Sequence, residues 1–230
     1  MHKDINPANI VWNPETDQLK IIDFGISTEL AQEQPDIQHP NMLEGTFAYM
    51  SPEQTGRMNR VIDYRTDLYS LGATFYHLLT GQLPFQAEDV MEMVHCHLAK
   101  MPVPPCELPG VSNFNLTAEG QTKVCTPKIL SAIIMKLLAK PAEDRYQSAF
   151  GLEADLQRCL EQIPTPCPSQ EGIVIAPFEL GQQDISERFQ IPQKLYGREQ
   201  EIQTLLQAFE RVANQQSTIE IILVTGYAGI

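Results

Sequence analysis

The sequence lacks any Cys-x-x-Cys pair, although it contains five cysteines in 230 residues. They are odd in number and scattered, so the pattern predicts neither a zinc site nor a disulfide framework. The His95-Cys96-His97 triplet brings three possible metal ligands together in sequence. At helical spacing these side chains diverge, so we interpret them as ordinary helix residues rather than a metal site.

Long apolar runs and a basic region are lacking as well. No run approaches the roughly 18 apolar residues that a membrane span needs, and the start does not resemble a signal peptide. The net charge is −13, from 16 basic and 29 acidic side chains, and neither residues 1–150 nor residues 151–230 are basic. We therefore predict a reduced, cytoplasmic protein without a membrane segment, and we do not expect nucleic acid as a partner.

Two short motifs occur within the first 25 residues. His2, Asp4 and Asn9 fit a His-x-Asp-x-x-x-x-Asn pattern, and Asp23-Phe24-Gly25 follows. Between them, residues 9–13 and 19–23 are rich in β-branched side chains, and the Pro-Glu-Thr-Asp sequence at 14–17 predicts the turn of a hairpin. Either motif alone is better explained by an ordinary turn, but their order and the hairpin between them favour a shared site.

This combination resembles the catalytic loop and the Asp-Phe-Gly motif of protein kinases. The resemblance implies that Asp4 is the carboxylate beside the attacking hydroxyl group. It implies that Asn9 and Asp23 are Mg²⁺ ligands, and that both, with Gly25, contribute to the binding of ATP. His2 would have a structural role in the same loop.

Later segments extend the resemblance. Residues 45–53, Gly-Thr-Phe-Ala-Tyr-Met-Ser-Pro-Glu, resemble the end of a kinase activation segment, in which the hydroxyl of Thr46 would bond Asp4. Glu53 would pair with Arg145, far downstream, as a bidentate Arg–carboxylate pair. Asp67 lies in an Asp-x-x-Ser-x-Gly pattern and would brace the backbone of the catalytic loop; a helix N-terminal acid favoured by the dipole is the alternative.

Hydrophobic periodicity predicts several helices. A helix that is apolar almost all round runs from Leu68 to Leu79 and should be buried, with Gly81 as its stop. Residues 87–100 predict an amphipathic helix with Val90, Met93, Val94 and Leu98 on one side. Further helices are expected over residues 127–140 and 148–162. The fold class predicted from these helices is mainly α, and the resemblance implies a kinase-like C-lobe with a small N-terminal β-hairpin.

The resemblance covers residues 1–162 and has three departures. Asn6 occupies a position where serine/threonine kinases usually carry a lysine that contacts the transferred phosphate. Lys3 replaces the usual arginine before Asp4. The 230 residues also contain no glycine-rich loop, strand lysine or helix glutamate before the catalytic loop, so we expect the N-lobe to be absent from this sequence.

The end of the sequence has a different character. Residues 163–193 begin with a Pro-rich stretch and predict a linker of low order. Residues 194–230 resemble the beginning of an AAA-type or related signalling P-loop ATPase. Within them a predicted strand at 219–225 precedes Gly226 and Gly229, and the sequence stops before the lysine of that motif. We therefore expect a truncated α/β segment after the C-lobe, as in large multidomain bacterial signalling kinases.

Two functional readings follow from this resemblance. The first is part of a serine/threonine protein kinase in bacterial signal transduction, inactive by itself, with ATP and Mg²⁺ as cofactors. Its partners would be a Ser/Thr protein substrate and the rest of a multidomain signalling protein. The alternative is a non-catalytic, pseudokinase-like regulatory module, which Asn6 and the expected absence of the N-lobe favour.

Overall fold

The computed structural model describes residues 1–29, 32–33, 47–58, 60–108, 128–162, 176–186, 200, 203–205, 207 and 211. The chain divides into two compact units, Met1–Ile191 and Pro192–Ile230. In the second unit the described residues have helical backbone, and the Thr204 hydroxyl donates to the Gln200 carbonyl at 2.8 Å. The predicted phosphate-binding loop at Gly226 and Gly229 lies outside the described residues.

The first unit begins with the predicted hairpin. Strands β1 (Ile10–Asn13) and β2 (Gln18–Ile21) pair antiparallel, with Ile10 opposite Ile21 and Asn13 opposite Gln18. Asp17 has φ +50° in the turn, which aspartate tolerates better than most residues. A second small antiparallel ladder joins β3 (Gln32–Glu33) to β4 (Ile62–Asp63).

Four α-helices lie in the described part of this unit. They are α1 (Arg65–Thr80), α2 (Val90–Ala99), α3 (Lys128–Leu137) and α4 (Ala149–Glu161). The predicted buried helix is confirmed by α1, which ends where Gly81 adopts φ +70° and donates its N–H to the His77 carbonyl. Short 3₁₀ turns connect the helices, so the prediction of a helical lobe with a small hairpin is confirmed.

The core of the lobe lies between α1, α3 and α4. Two adjoining clusters form it, one around Leu68, Ile133 and Tyr146 and the other around Tyr69 and Ile134. Gly72 allows the close approach of α1 to α3, because a Cβ atom there would lie 2.6 Å from the Leu137 Cβ atom. The largely buried α1 therefore packs closely against α3, and α4 packs on α3 in turn.

The structure corrects two expectations. Val90 was expected on the buried side of its helix, but it is 41% exposed. The helix does bury Val94 as expected, together with Cys96 and His97, which were not expected there. The helix begins only at Val90 because Asp89 caps it, accepting a hydrogen bond from the Glu92 N–H at 2.8 Å. Low order was expected throughout residues 163–193, but residues 176–186, the part of that segment that is described, pack on the lobe. The predicted domain boundaries themselves stay a prediction.

No described helix has the length and apolar character that crossing a membrane would require.

Candidate active site

The backbone of the first catalytic-loop residues is held by a helix side chain. The Asp67 carboxylate, in the first turn of α1, accepts hydrogen bonds from the His2 N–H at 2.8 Å and the Lys3 N–H at 2.7 Å. Gln54 adds a side-chain bond to the Lys3 carbonyl at 2.8 Å. Lys3 itself has φ +69°, a left-handed conformation that costs a non-glycine residue roughly 1–2 kcal/mol. These three bonds hold the strained residue immediately before Asp4.

Two amides orient the Asp4 carboxylate. The Asn6 side chain donates to Asp4 Oδ1 at 2.9 Å, and the Asn9 side chain donates to Asp4 Oδ2 at 3.0 Å. Asn9 also donates to the Asp4 carbonyl at 2.9 Å, while Asn6 Oδ1 accepts from the Ala8 N–H at 2.9 Å. Both asparagines are 9% exposed. Asp4 is therefore a fixed acceptor, with each oxygen bonded to one neutral amide.

The hairpin brings the second motif beside the first. The Ile22 N–H donates to the Asn9 carbonyl at 2.9 Å, and His2 Nε2 donates to the Ile22 carbonyl at 3.1 Å. The rings of His2 and Phe24 meet edge to face with centroids 4.8 Å apart. Asp23 therefore follows directly on a residue that is bonded to both ends of the catalytic loop.

Asp23 is exposed and has φ +62°, and its Oδ1 atom accepts a bond from the Gly25 N–H at 3.2 Å. Because the amide nitrogen of Asn9 is bonded to Asp4, the Asn9 side-chain oxygen is the atom left to ligate a metal. One carboxylate and one amide oxygen match the hard donors that Mg²⁺ accepts together with phosphate oxygens. The described residues contain no cluster of three His, Cys, Asp or Glu side chains that could hold a metal by themselves.

A buried ion pair joins Glu53, the last residue of the 45–53 motif, to Arg145. Arg145 Nη1 and Nη2 donate to Glu53 Oε1 and Oε2 at 2.7 and 2.9 Å, and the Thr66 hydroxyl donates to Oε1 at 2.8 Å. Burial alone would raise the pKa of the Glu53 carboxyl. The Arg145 charge and hydrogen bonds outweigh it and hold that pKa below its ordinary value. Arg145 also donates to three backbone carbonyls, those of Ala139, Lys140 and Arg65.

Thr46, expected to bond Asp4, lies outside the described residues. The sequence interpretation missed three side chains that the structure places at the site: Asn6 as a donor to Asp4, Gln54 on Lys3, and Thr66 on Glu53. Gln54 carries a recognisable signal, because Ser51-x-x-Gln54 is a capping-box spacing and Gln54 Oε1 accepts from the Ser51 N–H at 2.9 Å. Thr66 has no such signal, since only the fold places it beside Glu53.

Comparison with known proteins adds a family match. The profile described as "Protein kinase domain" matches residues 1–155. The serine/threonine-protein kinase PknB of Mycobacterium tuberculosis is 33% identical over 168 residues, which cover 73% of this chain and 24% of that protein. PknB of Mycolicibacterium smegmatis is 34% identical over 161 residues, covering 70% and 23%.

A relative of another kind matches a longer stretch. The hybrid signal transduction histidine kinase G of Dictyostelium discoideum is 37% identical over 216 residues, which cover 88% of this chain and 6% of that protein. The chain thus spans a quarter or less of the length of each of these relatives.

Proposed function

The chain belongs to the protein kinase family, and we propose that it carries the catalytic-loop half of a serine/threonine protein kinase. The observation that carries the proposal is the Asp4 carboxylate, held between two amides and next to a backbone that Asp67 braces. Phosphoryl transfer depends mainly on positioning and on charge stabilisation, and a fixed carboxylate meets the first need. The names of the PknB relatives favour serine or threonine as the acceptor.

In the proposed reaction, Asp4 accepts a hydrogen bond from the substrate hydroxyl and takes its proton as that oxygen bonds to the γ-phosphorus of ATP. The bond between the γ-phosphorus and the β-phosphate oxygen breaks in the same step, and ADP leaves. Asn9 and Asp23 would hold Mg²⁺, which supplies charge neutralisation on the ATP phosphates when it is bound. Asn9 would then have two tasks, because its nitrogen orients Asp4 and its oxygen would be available as a Mg²⁺ ligand. Glu53 and Arg145 would fix the end of the activation segment, against which the substrate binds.

A regulatory, non-catalytic role is the second candidate, and Asn6 is the observation that favours it. A neutral amide at this position gives the transferred phosphoryl group no positive charge, whereas the usual lysine would. The amide does bond Asp4, which a module with no catalytic use for the carboxylate would not need. We therefore place the kinase proposal first.

Radiolabelled phosphate transfer from ATP to a generic Ser/Thr protein substrate tests the two roles, with the intact protein in which these residues occur. The expected result is Mg²⁺-dependent transfer that Asp4→Asn abolishes while the thermal unfolding midpoint stays nearly unchanged. Glu15→Gln, in the exposed hairpin turn, is the matched control and should transfer normally. Transfer that survives Asp4→Asn, or Mg²⁺·ATP binding without any transfer, would overturn the catalytic assignment.

We further propose, from the sequence alone, that residues 163–193 link this lobe to a P-loop ATPase segment in 194–230 and that the whole serves bacterial signalling from the cytoplasm. The match to the hybrid histidine kinase, which is longer than the kinase family match, supports a multidomain context. Binding of a nucleotide to the segment 194–230, measured in the intact protein in which these residues occur, would test the ATPase part. Absence of nucleotide binding at this segment would contradict it.

A further inference from the structure

Residues 176–186, which we call the clasp, lie beyond the last residue of the kinase family match and pack on α4. The Arg158 guanidinium group lies over the Phe178 ring, with its Cζ atom 4.1 Å from the ring centroid. Phe178 and Leu180 also pack against the hydrophobic cluster that contains Tyr146 and Leu152. The clasp thus covers apolar surface of the lobe that α1, α3 and α4 do not cover among themselves.

Polar contacts fix the clasp at the beginning of α4. The Asp184 carboxylate accepts from the Gln147 N–H at 2.7 Å and from the Ser148 hydroxyl at 2.9 Å. The Gly181 N–H donates to the buried Asp155 carboxylate at 2.7 Å. A Cβ atom at Gly151 would lie 2.4 to 2.6 Å from Asp184 atoms, one of them backbone, so only glycine permits this approach.

A continuous set of hydrogen bonds leads from the clasp to the activation segment. Asp184 bonds Gln147, and the Gln147 side chain donates to the Arg145 carbonyl at 2.8 Å and accepts from Arg65 Nη1 at 2.8 Å. Arg145 in turn holds Glu53 through its bidentate pair. Only Gln147 and Arg145 therefore separate the clasp from the end of the activation segment.

We propose that the clasp is a docking element of the kinase lobe, and that its binding at the start of α4 stabilises the Arg145–Glu53 pair. The docked clasp fixes the turn of Gln147, which limits how far Arg145 can move from Glu53. Release of the clasp loosens the end of the activation segment without any change at Asp4. Such coupling requires a connected set of contacts between the clasp and Glu53, and the hydrogen bonds just described form such a set.

Hydrogen exchange measured by mass spectrometry on the 230-residue chain tests the proposal. Gly151→Ala displaces Asp184 by overlap, although alanine favours the helix itself. Asp184→Asn removes the carboxylate charge without adding volume, and this second variant replaces Gly151→Ala in the test if the latter folds poorly. Gln183→Ala, an exposed position in the same segment, is the matched control.

Both clasp variants should accelerate exchange of amides in 176–186 about tenfold, the factor expected for a lost hydrogen bond, and in 51–56 by a smaller factor. The control should change neither, and exchange across α2 should stay constant. Faster exchange in 176–186 alone would overturn the coupling, and no change in 176–186 would overturn the docking. Equal acceleration in α2 would mean general destabilisation and would also overturn the proposal. The measurement does not depend on kinase activity, so its failure leaves the proposed function untouched.

Discussion

Replacing Glu53 with glutamine should destabilise the lobe more than most single substitutions do. The Arg145 side chain is 0% exposed and that of Glu53 is 5% exposed, so both charges are out of water. Glu53→Gln removes the only negative charge in this buried pair. It leaves one N–H of the Arg145 fork facing the glutamine NH2 group, while the glutamine oxygen and the backbone carbonyls remain as neutral acceptors. Removal of one partner from such a pair costs about 3–5 kcal/mol of the free energy of unfolding.

Urea unfolding at pH 7 measures this loss, and Glu143→Gln provides the matched comparison. Glu143 pairs with Arg60 at 2.7 Å, but the two side chains are 12% and 20% exposed. Water can replace part of that interaction, so we expect a smaller loss of about 1 kcal/mol. A loss at Glu53 no larger than the loss at Glu143 would refute the argument that burial makes the first pair important.

The same pair predicts a pH dependence. The folded-state pKa of Glu53 is lowered from 4.5, so its contribution is complete above that value and is lost as pH falls through the folded-state pKa. The difference in unfolding free energy between the wild type and Glu53→Gln should therefore shrink below about pH 4.5. A difference that stayed constant down to acid unfolding would contradict the assignment of the shift to this pair.

Three further predictions concern other parts of the lobe. Gly72→Ala should cost about 1–3 kcal/mol, because its methyl group would overlap Leu137, and a lower thermal unfolding midpoint would show it. Burial and the neighbouring Lys140 charge lower the pKa of His97 to about 4. The free energy of unfolding should therefore fall as pH drops from about 6.5 toward that value, and His97→Gln should make this dependence on pH weaker. Asn6→Ala removes one of two donors to the Asp4 carboxylate and should lower kcat about tenfold in the intact protein with little change in the KM for ATP. An unchanged kcat would mean that Asn6 does not position Asp4.

The motifs and the periodicity made the lobe predictable. Residues 68–79 carry apolar side chains almost all round and are followed by Gly81. Both features act locally, so the helix and its end could be predicted from the sequence. The hairpin had the same advantage, because β-branched runs and a Pro-containing turn lie within a dozen residues. The buried face of α2 was harder to predict. The N-cap at Asp89 and the packing of His97 on Tyr69 decide which face of this helix points inward.

The sequence by itself determined which residue types are available to the site: a carboxylate at Asp4, oxygen donors at Asn9 and Asp23, and no cation at position 6. Only the tertiary structure decided how they are used. Asn6 donates to Asp4, Gln54 holds the Lys3 carbonyl across 51 residues, and Asp184 reaches the start of α4 across 37. The last two contacts join residues so distant in sequence that they leave no periodic pattern. Packing of the helices brings these residues together and removes water from around them. A buried polar group without a hydrogen-bond partner would then cost free energy, so each group is held to one partner.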